Sequence, residues 1–151
     1  MTRTALLAFS AFGLVAAAPQ PVTLISKAFV EHVVEREGTK KIELTEPGRV
    51  FPGDRMVFET AYRNSGKVPV SQFVVINAVP PQIAFSGDAS DGAVVSVDGG
   101  RRYGRLSDLR ITTPSGTTRA AQPVDVTHIR WTIPVITSGA SGAVRYHGNV
   151  R

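Results

Sequence analysis

The stretch that decides the fold is Arg55-Met56-Val57-Phe58-Glu59-Thr60-Ala61-Tyr62-Arg63, followed by Asn64-Ser65-Gly66-Lys67. Met56, Phe58, Thr60 and Tyr62 share one side of an extended chain, and Val57, Glu59, Ala61 and Arg63 share the other. That two-residue period belongs to a strand. Asn64 to Lys67 reads as a turn, because Asn and Gly tolerate positive φ.

The same grammar continues in both directions. Upstream, Val22 to Val34 is rich in β-branched and apolar residues, and Gly38 to Lys41 reads as a turn. Lys41 to Glu46 alternates, with Ile42 and Leu44 expected to face a core. Glu46-Pro47-Gly48 and Pro52-Gly53-Asp54 are turns. Downstream, Ser71 to Val79 is nearly all apolar, the pattern of a strand covered on both faces. Pro80-Pro81 stops it, since proline has no N–H for the ladder. Ile83 to Phe85 is a short strand, and Ser86 to Gly92 a loop. Ala93 to Val97 and Arg101 to Arg105 flank Asp98-Gly99-Gly100, a hairpin by its turn chemistry. Leu109 to Ile111 is another short strand, and Thr112 to Pro123 a loop. Val126 to Ile136 places Ile129, Trp131 and Ile133 on one face and His128, Arg130 and Thr132 on the other. After Ser138 to Gly142 turns the chain, Val144, Tyr146 and Val150 share a face of the last strand. No stretch shows a sustained helical period. Short strands at regular spacing predict an all-β fold, an antiparallel immunoglobulin-like β-sandwich.

The chain has 151 residues, of which 42% are hydrophobic and 19% charged, so disorder along its whole length is excluded. It has no cysteine, which excludes disulfides, thiol catalysis and Cys-ligated zinc. Arg3, the apolar run Ala5 to Val15 and Ala16-Ala17-Ala18 read as a secretory signal peptide over residues 1–17, with cleavage after Ala17. The apolar run is too short for a permanent transmembrane helix. The expected organisation is therefore a leader over 1–17 and one sandwich domain over 18–151, exported to the periplasm or the medium, with no integral membrane segment after processing.

Charge is unevenly spread. Pro19 to Gly100 carries a net charge of −2, whereas Arg101 to Arg151 carries +6 from eight arginines against two acids. Such asymmetry points to an acidic partner. For an exported chain that partner is an anionic envelope polymer or another envelope protein rather than nucleic acid. The candidate contact residues are Arg101, Arg102, Arg105, Arg110, Arg130 and Arg145.

The order of the motifs resembles the conserved-repeat domain of bacterial and archaeal surface proteins, the domain of unknown function numbered eleven. The residues that carry the resemblance are Pro52-Gly53-Asp54, Tyr62-Arg63-Asn64-Ser65-Gly66, Val74-Val75-Ile76-Asn77-Ala78-Val79-Pro80 and Arg130-Trp131-Thr132-Ile133, with Gly139 and Ser141-Gly142 after them. Asn77 stands where that family has Asp, and no Pro precedes Gly139. The resemblance implies an exported immunoglobulin-like sandwich without catalytic residues. That family appears as tandem copies in large proteins, whereas this chain carries one copy.

Other constellations suggest narrower chemistry. Ser96-Val97-Asp98-Gly99-Gly100-Arg101-Arg102-Tyr103 has the form of an Asp-box hairpin, whose Ser and Asp bond the loop's own backbone. With Trp131, Tyr103 and Tyr146 it motivates a carbohydrate-binding module as the alternative function; an exposed aromatic platform would favour it. Asp88, Asp91 and Asp98 offer carboxylates for calcium, although without EF-hand spacing. His128 and His147 become neighbours if the last two strands pair. Lys27, Glu59 and Asn149 have the order of a Lys–Asn amide cross-link assisted by a carboxylate. No hydrolase, zincin or P-loop signature is present. The expectation is a non-catalytic module with no cofactor and no metal.

Overall fold

The computed structural model describes residues 21–151. The leader expected over 1–17 lies outside them. Ten strands follow in order: β1 Val22–Arg36, β2 Thr39–Thr45, β3 Arg55–Asn64, β4 Val70–Ala78, β5 Ile83–Ala89, β6 Val94–Ser96, β7 Arg110–Thr112, β8 Thr118–Ala120, β9 His128–Ile136 and β10 Ser141–Val150. Two single 3₁₀ turns, Leu106–Asp108 and Pro123–Asp125, are the helical content of this span. The strands pair antiparallel in a five-stranded sheet of order β2-β1-β3-β10-β5 and a three-stranded sheet of order β4-β9-β6. β7 and β8 form a small separate ribbon. Residues 21–151 form an all-β antiparallel sandwich.

The alternation read in β3 decides what is buried. Met56 and Thr60 turn inward, Phe58 and Tyr62 pack against the core, and Asn64 closes the row. Facing them from the smaller sheet are Val75, Ile129 and Trp131, the last only 1% exposed. The Trp131 indole N–H donates to Ser90 O at 3.1 Å, which satisfies its one polar atom. Tyr146 of β10 stacks on Phe58, with ring centroids 4.7 Å apart, and its hydroxyl donates to Ala78 O. Burial pushes the Tyr146 phenol well above its ordinary pKa.

The turn after β3 has a physical cause. The Asn64 side chain donates to Val68 O and Ile136 O, each at 2.9 Å, and its carbonyl accepts from Gly66 N. One buried amide thus joins the two sheets. A Cβ at Gly66 would lie 2.8 Å from Pro21 Cβ, so the residue there must be glycine or its surroundings must shift. A second polar link between the sheets runs from Ser26 through Thr60 to Asn77.

Several local expectations change. Ile42 and Leu44 are 63% and 42% exposed, not core. Their strand pairs with the far half of β1, on the outer face of the larger sheet, where no second layer lies. Only one face of β4 meets the larger sheet: Val75 is buried there, whereas Val74 and Ile76 point to the other face and are exposed rather than covered on both faces. β5 runs on to Ala89 through the expected loop, and the loop expected over Thr112 to Pro123 contains β8.

Candidate functional site

The arginine-bearing region is built on the Asp98 hairpin. β6 ends at Ser96, a buried side chain whose hydroxyl donates to Asp98 Oδ1 at 2.7 Å and accepts from Gly100 N at 3.0 Å. Asp98 Oδ1 also accepts from Arg101 N and Arg102 N, both at 3.0 Å. Gly99 and Gly100 sit at φ +76° and +84°, a conformation L side chains rarely adopt. The loop therefore satisfies its own backbone, as the Asp-box-like spacing predicts. Hydrogen bonds from Arg102 N–H, Ser96 hydroxyl and Arg101 N–H hold the Asp98 carboxyl below its ordinary pKa, with a smaller contribution from the Arg102 charge.

Past the loop, Gly104 exchanges both backbone hydrogen bonds with Val95 and returns the chain to the sheet edge. Exposed Arg101, Arg102 and Arg105 thus lie around one tight hairpin. Arg102 Nε is 3.8 Å from Asp98 Oδ2, and its side chain remains largely exposed. Arg110, exposed on β7, donates to Ser107 O and Leu109 O. Arg102, Arg110 and Asp98 line one cleft of about 200 Å³ together with Val97, Leu109, Ile111 and Thr112.

The other two candidates stand elsewhere. Arg130 is half-buried on β9, its guanidinium 4.3 Å from the centroid of the Tyr103 ring. Its Nε is buried and has no hydrogen-bond partner among the described residues. Arg145 lies on the outer face of the larger sheet and is ion-paired with Glu59. The six arginines therefore divide into four around the hairpin corner, one stacked on an aromatic, and one paired on the opposite sheet. Arg119, which is not among the six, forms a bidentate pair with Asp125 at 2.7 and 2.8 Å. That pair, with help from Gln122 N–H, holds the Asp125 carboxyl below its ordinary pKa.

The narrower constellations separate. Asp98 is committed to its hairpin, and Asp88 lies 3.3 Å from Arg55. Among the described residues, no group of three or more His, Asp or Glu side chains is arranged to hold a metal ion. β9 and β10 belong to different sheets, so His128 and His147 are not cross-strand neighbours. Lys27 is exposed and lies in the row of Glu59 and Arg145, whereas Asn149 pairs with Arg55. Four residues along β10 separate those rows, about 13 Å, so the amide cross-link has no geometry. Trp131 and Tyr146 are core residues and Tyr103 is covered by Arg130, so these three form no exposed aromatic platform.

One cluster has no local signal in the sequence. On the outer face of the larger sheet, Glu31 Oε2 lies 3.1 Å from Arg55 Nε and 3.3 Å from His147 Nδ1. The second approach lacks the angle of a hydrogen bond, and His147 Nδ1 is left unpartnered. Asp88 Oδ2 approaches the other ring nitrogen at 3.8 Å. Four strands contribute one residue each, and the acids flank opposite sides of the imidazole, so they cannot chelate one ion with it.

Among the described residues no helix is long and apolar enough to cross a membrane, which leaves β-barrel insertion unaddressed. No protein-family model, curated protein or solved structure matches the chain.

Proposed function

We propose that the protein is an exported, non-catalytic β-sandwich module of the conserved-repeat, immunoglobulin-like kind, whose hairpin corner contacts an anionic polymer of the cell envelope. The observation that carries the reading is the contrast among the arginines. Arg119 and Arg145 are neutralised by carboxylates. Arg101, Arg102, Arg105 and Arg110 are exposed within ten residues of chain, from the Asp98 loop to the start of β7; of these, among the described residues, only Arg102 has a carboxylate within 4 Å, Asp98 at 3.8 Å, and it remains largely exposed. A rigid loop presents charge without a large ordering cost on binding. The export and family parts of the reading rest on the leader-like start and on the order of the turn and strand motifs.

The test is retention of the protein on isolated cell-envelope fractions across a salt series. Retention should fall steeply with salt, because exposed charges are screened over about 10 Å at 0.1 M ionic strength. Changing Arg101, Arg102 and Arg105 together to Gln should abolish it, while Arg145→Gln should leave it in place. No retention at low salt, or equal loss with both sets of changes, would remove the corner as the contact.

A further inference from the structure

We infer that the free edge of β2 is a self-complementary surface that pairs with β2 of a second copy of this chain, antiparallel and centred on Ile42. Among the described residues, β2 is hydrogen-bonded to β1 on one side only. Its outward edge therefore presents unpaired N–H and C=O groups, a template for another strand. The residues along it are Thr39-Lys40-Lys41-Ile42-Glu43-Leu44-Thr45.

The charges select both the partner and the register. A two-fold axis perpendicular to the sheet keeps like faces together and pairs a strand with its own copy. Centring on Lys41 sets Lys41 against Lys41. Centring on Glu43 sets Glu43 against Glu43. Like charges directly opposite destabilise a strand pair. Centring on Ile42 sets Lys41 opposite Glu43 twice, Ile42 opposite Ile42, Lys40 opposite Leu44 and Thr39 opposite Thr45. Both charge pairs are then attractive, and they flank an apolar contact.

The surrounding faces agree with this register. Ile42 pairs with Val33 on the outer face, and the two side chains are 63% and 65% exposed in the single chain. Pairing places the two Ile42 side chains side by side and joins both Val33–Ile42 rows into one apolar stripe. Lys41 and Glu43 lie on the opposite face, across from Val34 and His32. Glu43 Oε1 is 3.1 Å from Arg36 in an exposed ion pair, which leaves Oε2 for the incoming Lys41. The apolar stem of Lys40 covers Leu44 of the copy, as long cationic side chains do.

Sedimentation equilibrium of the protein over a dilution series tests the pairing. The expected result is a concentration-dependent monomer–dimer equilibrium. Lys41→Glu alone and Glu43→Lys alone should each weaken it by about tenfold or more, since each turns two attractive pairs into two repulsive ones. The combined K41E/E43K exchange should restore it. A second measurement is independent of affinity. The chain has no cysteine, so Ile42→Cys places a single thiol on the two-fold axis. Directly opposite residues have Cα atoms about 4.5–5.5 Å apart, within disulfide range. Mild oxidation should give a covalent dimer from I42C and not from K40C. A monomer at every concentration, a dimer insensitive to both single exchanges, or tighter association after Lys41→Glu would overturn the inference. The last result would make Lys41 a guard against edge pairing.

Discussion

Two hairpins of this sandwich, β1–β2 and the Asp98 hairpin, are stabilised in opposite ways. The β1–β2 hairpin is long and regular, with seven residue pairs from Val30↔Thr45 to Arg36↔Thr39, yet most of its side chains are exposed. Its cohesion is backbone hydrogen bonding and cross-strand contact. The Asp98 hairpin has almost no ladder, and its return strand is a single bridge at Gly104. It is held by the Ser96 hydroxyl and the Asp98 carboxylate bonding the loop backbone. The first arrangement leaves a pairing-competent edge exposed. The second spends its polar groups internally and leaves only side-chain charge for a partner. A binding role by strand addition belongs to the first, and one by electrostatic contact to the second.

The largest expected effect breaks the second hairpin. Ser96→Ala removes a fully buried hydroxyl and leaves Gly100 N without its acceptor. The cost should be about 1–3 kcal/mol, read as a lower urea midpoint with an unchanged slope. Truncating the exposed Val33 to Ala in the other hairpin should change stability by less than about 0.5 kcal/mol. Equal losses would mean that the two hairpins do not differ in this way.

Acid titration sharpens the contrast. The Asp98 carboxyl is lowered in the folded protein, chiefly by the Arg102 N–H and the Ser96 hydroxyl. Its contribution is therefore fully present above the unfolded carboxylate value of about 3.9 and is lost as pH falls through the lowered folded value. Asp98→Asn should flatten that part of the stability–pH curve. Asp125, lowered first by its hydrogen bond from Arg119, adds a slope of the same sign that Asp98→Asn leaves in place.

What was legible in the sequence follows from the range of the interactions. The Asp98 loop could be read because its donors and acceptors lie within four residues of one another. The inward rows Met56–Phe58–Thr60–Tyr62 and Ile129–Trp131–Ile133 could be read because alternation shows which residues share a face. Alternation does not show which face meets the second sheet, so it cannot tell that Ile42 and Leu44 lie on the outer face of the larger sheet. β9 and β10 are consecutive but cross from one sheet to the other at Ser138–Ala140, which separated His128 from His147. The Glu31–Arg55–Asp88–His147 cluster needs the order of four strands in the larger sheet, information that no local window contains. Of the six candidate arginines, the corner set lies within one segment, whereas Arg130 and Arg145 needed the topology to be separated from it.

Glycine substitutions give a smaller effect that compares the two turns directly. Gly38 and Gly100 both have positive φ, +74° and +84°. A Cβ at Gly38 meets nothing within 4 Å, whereas at Gly100 it would lie 3.1 Å from the Tyr103 hydroxyl and 3.5 Å from the His128 ring. Gly38→Ala should cost the backbone strain alone, about 1 kcal/mol. Gly100→Ala should cost more, because Tyr103 carries Arg130 and must shift. A thermal-melt comparison of the two variants reads the difference, and equal losses would mean that Tyr103 yields freely.

The smallest effect is a gain, and it falls on the long hairpin. Its two-residue loop is Glu37-Gly38, with Glu37 at φ +53° and Gly38 at +74°. Positive φ at both central residues is the type I′ arrangement, whose twist matches the flanking strands and which favours Asn-Gly. Glu37 is neither Gly nor Asn, so it holds this conformation at a steric cost. Glu37→Asn should relieve part of that cost and stabilise the hairpin by roughly 0.5 kcal/mol. Because few core contacts tie this hairpin to the sandwich, the gain should appear as slower amide exchange across Val33–Ile42 with little change in the global melting temperature. A gain of equal size in global stability would instead mean that the hairpin unfolds together with the core. The exposed β2 edge would then be as rigid as the Asp98 corner, and the two hairpins would differ in chemistry but not in mobility.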